Sequence, residues 1–233
     1  MIIWPLLIIC AYLLGSVPAA YLVARSHGVD LRQQGTSQAG GGNVWRTTSR
    51  KLGLMVGAFD FLKGLMMVWV AQLQGLDMAQ QIFVGLATVV GHNWPVFLRF
   101  HGGRGAATTL GIIMIIPAIN GTTPWPLVIT LAIVMIGTVI FRSSPLPIFI
   151  AAASLPITNW TYHGDINTTL AFLAIFLVIS IKRLMAQPST VPVSVRKRRV
   201  LLNRLLFDRD IMDRKAWMYR KPTDPQDIFD DTG

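Results

Sequence analysis

Three polar stretches and one charged pair of this 233-residue chain carry the side chains that could do chemistry. The first, Gly35 to Arg46, reads GTSQAGGGNVWR. Consecutive glycines let successive backbone N–H groups converge into an anion-binding nest. Around them Gly35, Thr36, Ser37, Gly41, Gly42, Asn43 and Arg46 offer amide, hydroxyl and guanidinium donors. Glycine runs also make flexible linkers, although a linker needs none of those donors. The stretch lacks the Gly-Lys-Ser/Thr ending of a nucleotide P-loop, which excludes ATP binding by that device.

The second stretch pairs Gly91-His92-Asn93-Trp94-Pro95 with Gly102-Gly103-Arg104-Gly105, and an apolar run begins at once at Ala106. A helix N-terminus with free backbone N–H groups favours phosphate, and the Arg104 fork matches it. His92 could be an acid, a base, a donor or a structural interface histidine. In the third stretch, Arg142-Ser143-Ser144 supplies one more cation with two hydroxyls, and alone would read as a cytoplasmic anchor. Asp60 and Lys63 stand three apart inside an apolar run and so share a helix face. Charges there cost about 2.5–3.5 kcal/mol each at the centre of a span, which marks them as functional or as a mutually neutralising pair. Counting at 1.5 Å per residue puts them about 12 and 16 Å below the polar edge, from which Lys63 could snorkel back to a site.

The elements that must position these groups are membrane helices. The chain is 52% hydrophobic and 14% charged, carries a net charge of +10, and has a mean hydropathy of +0.51. Apolar runs cover about 2–23, 52–73, 82–98, 106–119, 127–141, 146–160 and 169–181. The expected fold is therefore an all-α integral membrane protein with about seven transmembrane helices. The first run has no basic segment before it and no small-residue cleavage site, so it reads as a span and not a signal peptide. Lys and Arg follow runs one, three, five and seven, whereas the joints at about 74–81, 120–126 and 160–168 contain neither. Basic loops stay in the cytoplasm, which predicts an outside N-terminus, a cytoplasmic C-terminus and an outer belt of Trp4, Trp125 and Trp160.

Residues 1–184 form the expected membrane domain and 185–233 a tail. Arg196-Lys197-Arg198-Arg199, followed by leucines interleaved with Arg204 and Arg209, suits an anionic membrane surface. The last ten residues carry four Asp and no base, a composition expected to be disordered. All eleven acidic residues are Asp, which excludes Glu-pair glycoside hydrolysis, the His-Glu zinc motif and the helix–loop–helix calcium site. One cysteine, Cys10, leaves no intrachain disulfide or Cys-based metal site. The polar groups describe a receptor for anions on one membrane face that needs no metal, no cofactor and no nucleic acid.

At AYLLGSVPAAYLVA, GVDLR, GGGNVWR, FDFLKG, GHNWPVF and GGRGAATTLG the sequence resembles the bacterial integral-membrane glycerol-3-phosphate acyltransferases that use acyl phosphate (the PlsY type). The likeness runs almost ungapped from about Ala11 to Ala118. It implies seven spans in the inner membrane, a site facing the cytoplasm, and transfer of a fatty acyl group to the glycerol phosphate 1-hydroxyl, giving lysophosphatidic acid and phosphate. In that family a substrate phosphate is thought to act as base, which implies no protein acid/base dyad. The chain differs from the family pattern at Gly35-Thr36-Ser37-Gln38, His101, Arg104, Pro145, Arg198 and Leu201. Arg for Lys keeps charge but changes reach.

The expected partners are acyl phosphate, glycerol 3-phosphate and membrane lipids. Arg104, Arg46 and Lys63 are the expected catalytic cations. The expected phosphate and substrate contacts are Gly35, Thr36, Ser37, Gly41, Gly42, Asn43, Asp60, His92, Gly102, Gly103, Gly105, Arg142, Ser143 and Ser144. The competing expectations are a non-catalytic relative that binds phosphorylated lipid and, with less support, an anion transporter, whose site would lie near the bilayer midplane.

Overall fold

The structure is a computed structural model that describes residues 2–185, 197–210, 212–213 and 217. Among these there is no strand. The order is α1 (Ile3–Gly15), α2 (Ala19–Arg25), α3 (Gly41–Thr47), α4 (Arg50–Leu73), α5 (Met78–Asn93), α6 (Ala106–Asn120), α7 (Trp125–Phe141), α8 (Pro145–His163), α9 (Ile166–Leu184) and α10 (Lys197–Phe207). Among the described residues, four helical segments are long and apolar enough to cross a membrane: Ile3–Arg25, Arg50–Leu73, Met78–Leu98 and Ile166–Leu184. α6 and α7 are shorter apolar helices.

The first apolar run does not continue as one helix. Pro18 has no N–H to give, and the Ala19 N–H turns to the Val17 carbonyl, so the Gly15 carbonyl is released from the helix ladder. That free acceptor matters at the site. At the opposite end of the bundle, Asp77 and Gln80 form a reciprocal capping box that starts α5, and the Gln81 and Asn120 amides pair with each other.

Glycines set the crossings that hold the bundle. A side chain at Gly15 or Gly91 would strike α5 or α1 respectively, and one at Gly64 or Gly111 would strike α6 or α4. In lipid, where apolar side chains gain little by leaving the solvent, such close backbone approach is what helix association rests on. The main core lies between α4, α5, α6, α8 and α9, with Val68, Ile82, Ile112, Leu155 and Ile175 fully enclosed. Many large apolar side chains face outward, including Leu54, Met135, Ile136, Val139 and Ile157, as a lipid-facing surface requires. Trp125 stacks on Tyr162 with ring centroids 6.3 Å apart, and Trp4 and Trp160 are likewise exposed.

The tail does not stand apart from the bundle. Arg183 donates to the Leu205 carbonyl at 2.8 Å and Arg204 to the Leu184 carbonyl at 3.2 Å, which docks α10 on the end of α9. Leu201 and Leu202 remain exposed. Arg196 and the acidic final ten residues lie outside the described residues.

Candidate active site

The three polar stretches meet at one end of the bundle around a cavity of about 750 Å³. Its wall includes Thr36, Gly41, Gly42, Asn43, Arg46, Asp60, His92, Gly103, Arg104, Gly105, Ser143 and Ser144. Five of the expected contacts are not on it: Gly35, Ser37, Lys63, Gly102 and Arg142.

Each displaced residue has a physical reason. Arg142 is the left-handed C-cap of α7 (φ 48°) and extends outward, exposed. Gly35 and Ser37 are left-handed turn residues (φ 61° and 56°) behind the cavity wall, and a side chain at Gly35 would collide with the Asn43 carboxamide. Gly102 lies against the carbonyls of His92 and Asn93, where a Cβ has no room, and borders a smaller void beside Asp60 and His92. Lys63 does not snorkel. It is 2% exposed and bonded beneath the cavity to Asp60, His92 and the released Gly15 carbonyl.

The glycine-rich stretch is not a nest. Gly40 is extended (φ −149°), and Gly41 and Gly42 already belong to α3, so successive N–H groups do not converge there. Gly41 is a packing glycine: a Cβ would lie 2.7 Å from the Gly53 carbonyl and 2.9 Å from the Gly57 nitrogen of α4. Gly42 is open apart from Arg46, whose Nη1 donates to its carbonyl at 2.8 Å.

Asn43 organises the loop with the whole of its amide. Its Oδ1 accepts from the Thr36 N–H at 3.0 Å, and its Nδ2 faces the carbonyls of Leu31, Gln34 and Gln38 at 3.3, 3.0 and 3.1 Å. Although it borders the cavity it is 2% exposed, and these bonds shape the loop that presents Thr36.

Gly103-Arg104-Gly105 is laid tightly on the end of α5. The Gly103 N–H donates to the His92 carbonyl at 3.0 Å, and Gly105 caps α6 in the left-handed conformation (φ 72°), which a side chain would strain. This arrangement fixes Arg104. Its Nη1 donates to the Lys182 carbonyl at 2.7 Å and its Nη2 lies 2.8 Å from Asp208 Oδ1. With its carboxamide nitrogen turned to the Gly102 carbonyl, Gln38 accepts from the same Nη2 at 3.2 Å. Arg104 Nε is buried with no acceptor.

Arg183 was not singled out by sequence, where it reads as one of many bases after the last apolar run. It is 3% exposed, lines the cavity, and donates through Nη1 and Nη2 to Leu205 and Pro145 carbonyls. Its Nε, too, has no acceptor. Phe207, Asp208, Arg209 and Trp217 bring the tail to the same wall. Burial pushes the Asp208 carboxyl above the usual carboxylate range, against the pull of Arg104 and Arg183. The one signal for these residues was the basic character of the tail, which reads equally as a lipid contact. His101 stands away from the cavity, exposed and bonded to the Arg99 carbonyl.

Known proteins match this chain closely. The family model described as Glycerol-3-phosphate acyltransferase matches residues 5–187. Glycerol-3-phosphate acyltransferase 4 of Dehalococcoides mccartyi (strain CBDB1) is 37% identical over 222 residues, covering 92% of this chain and 93% of the relative. The glycerol-3-phosphate acyltransferase of Thermus thermophilus is 43% identical over 125 residues, covering 54% and 62% of the two chains. Among solved structures, the glycerol 3-phosphate form of PlsY (YgiH), an integral membrane glycerol 3-phosphate acyltransferase, superposes with a TM-score of 0.70. It is 30% identical, over 77% of this chain and 88% of that one. The lysophosphatidic acid form of the same protein gives a TM-score of 0.67 at 28% identity, over 77% and 87%.

Proposed function

Because the chain belongs to the glycerol-3-phosphate acyltransferase family, we propose that the cavity at this end of the bundle is where it joins glycerol 3-phosphate to an acyl group delivered as acyl phosphate. The observation that carries this reading is the pair of guanidinium groups on the wall, Arg104 and Arg183, each with a buried Nε–H that lacks an acceptor. Guanidinium groups bond phosphate oxygens more strongly than they bond neutral acceptors. Neutral ligands would not draw so many cations to one wall.

The reaction asks little covalent chemistry of the protein. Acyl phosphate is a mixed anhydride, already activated. The 1-hydroxyl oxygen attacks its carbonyl carbon, the carbon–oxygen bond to phosphate breaks, and the hydroxyl proton leaves with the phosphate. Lysophosphatidic acid and inorganic phosphate result. Two anionic reactants must be held side by side, so the protein's main contributions are cancelling their repulsion and fixing their approach. Arg104, Arg183 and Arg46 take the phosphates, the first turn of α6 adds its free N–H groups, and Thr36, Ser143 and Ser144 orient hydroxyl and phosphoryl oxygens. The fatty chain lies between helices in the adjoining leaflet.

The one-sided placement of Lys and Arg supports a seven-crossing arrangement in the inner membrane, with the cavity open to the cytoplasm and the N-terminus outside. The exposed leucines and bases of α10 support a tail resting on the same membrane face. The deciding experiment supplies purified protein in detergent with glycerol 3-phosphate and either acyl phosphate or acyl-CoA, and follows lysophosphatidic acid. Turnover with acyl phosphate and none with acyl-CoA is the expected result. Turnover with acyl-CoA alone would overturn the donor assignment.

A further inference from the structure

Below the cavity, three acceptors surround one ammonium. Lys63 Nζ lies 2.7 Å from Asp60 Oδ1, 3.1 Å from the Gly15 carbonyl and 2.9 Å from His92 Nδ1. The Gly15 carbonyl is available only because the chain breaks its helix ahead of Pro18. An ammonium has three protons and no lone pair, so a ring nitrogen facing it at 2.9 Å must offer its own lone pair. With Nδ1 unprotonated, the neutral imidazole of His92 carries its proton on Nε2.

This reverses the first impression of the cluster. His92 Nδ1 also approaches Asp60 Oδ1 to 3.2 Å, which taken alone would read as the Asp–His pair of a general base. Lys63 Nζ lies closer to each of them, at 2.7 and 2.9 Å, than they lie to one another, and the geometry makes both acceptors of that one cation. The far nitrogen, Nε2, is directed toward the backbone of Gly103, where any side chain would overlap it, and His92 itself lines the cavity.

We propose that His92 acts in acyl transfer as a fixed Nε2–H donor to an oxygen of the bound phosphorylated reactants, not as a proton acceptor. Lys63 and Asp60 are positioning residues that lock its tautomer from below. The spacing explains why a membrane protein keeps a lysine and an aspartate together so deep in a helix. A merely neutral pair would not need the released carbonyl and the histidine on the same nitrogen. The inference rests on the cavity being the active site.

The test has two arms that fail separately. Nitrogen-15 histidine NMR of the intact protein in detergent is expected to show the His92 ring, identified by its loss in His92→Gln, with Nδ1 bare and a proton on Nε2. Lys63→Met should abolish that fixed state. In acyl transfer, His92→Gln places an amide N–H near the Nε2 position and should retain about tenfold more kcat/KM than His92→Asn or His92→Ala. A proton found on Nδ1, or folded Gln, Asn and Ala variants with equal activity, would overturn the proposal. The NMR arm reports the tautomer whether or not the cavity is catalytic. Failure of the site reading would instead appear as full activity after Arg104→Ala.

Discussion

Arg104 and Asp208 meet at the cavity wall, Nη2 to Oδ1 at 2.8 Å, so a guanidinium of the bundle is held by a carboxylate from the tail. Asp208 sits in the left-handed conformation (φ 57°) just past α10. Its neighbour Asp210 is bonded by Arg204, and the Asp210 carbonyl accepts from Asn203 at 3.1 Å. The tail thus presents an acid to the cation that the proposed reading assigns to an anionic substrate, and on that reading the two compete for it.

Removing that competitor should tighten substrate binding. Asp208→Asn keeps the shape and deletes the charge. The net worth of such a pair is about 1 kcal/mol, so KM for the phosphorylated reactants should fall by up to about fivefold with kcat little changed. A rise in KM would show that Asp208 aligns Arg104 and does not occupy it.

The same carboxyl predicts a pH effect on stability. Burial raises the Asp208 pKa in the folded protein, so the folded state binds its proton more tightly than the unfolded chain. That contribution is full below the unfolded carboxylate value and is lost as pH rises through the folded one. Thermal stability of the parent in detergent should therefore fall more steeply than that of Asp208→Asn as pH rises above the usual carboxylate range. Parallel profiles would remove the assignment.

Arg104 itself should be the most sensitive cation. Arg104→Ala is expected to lower kcat/KM by about 10²–10³-fold while the protein still inserts in membranes, since preorganised charge is typically worth that much. Arg142→Ala, outside the cavity, should leave acyl transfer within about twofold. Equal losses in the two variants would mean that overall positive charge, not position, matters.

The glycine triplet should split. Gly41→Ala puts a Cβ against the backbone of α4 and should cost about 1–3 kcal/mol of stability, displacing α3 and with it Arg46. Gly42→Ala meets nothing closer than Arg46 Nη1 at 3.5 Å and should be tolerated. Thermal melts of the two purified variants distinguish this from a nest, in which both would fail.

Asn43→Leu removes a bond to the Thr36 N–H and unpairs three loop carbonyls. A loss of about 1–3 kcal/mol is expected, together with faster hydrogen exchange over residues 31–38. A KM change with unaltered exchange would return Asn43 to the role of a direct substrate contact.

The sequence alone determined the helical, membrane-embedded class, the groups of polar residues that come together, and the family. Those properties are local: a run of apolar residues must bury its backbone polarity in a helix, and Lys and Arg gather in the joints because lipid rejects them. The joints then name an anion site by composition. Only the tertiary structure decided which cations line the cavity. Arg104, Arg142 and Arg183 are alike as residue types beside apolar runs, yet the first and third line the cavity and the second extends outward, because the packing of the helices decides where each backbone end points. Likewise Asn43 spends its amide on carbonyls up to twelve residues away, and Lys63 finds a carbonyl freed forty-eight residues earlier. Such pairings depend on atoms brought within about 3 Å by packing, and no spacing along the chain encodes that distance.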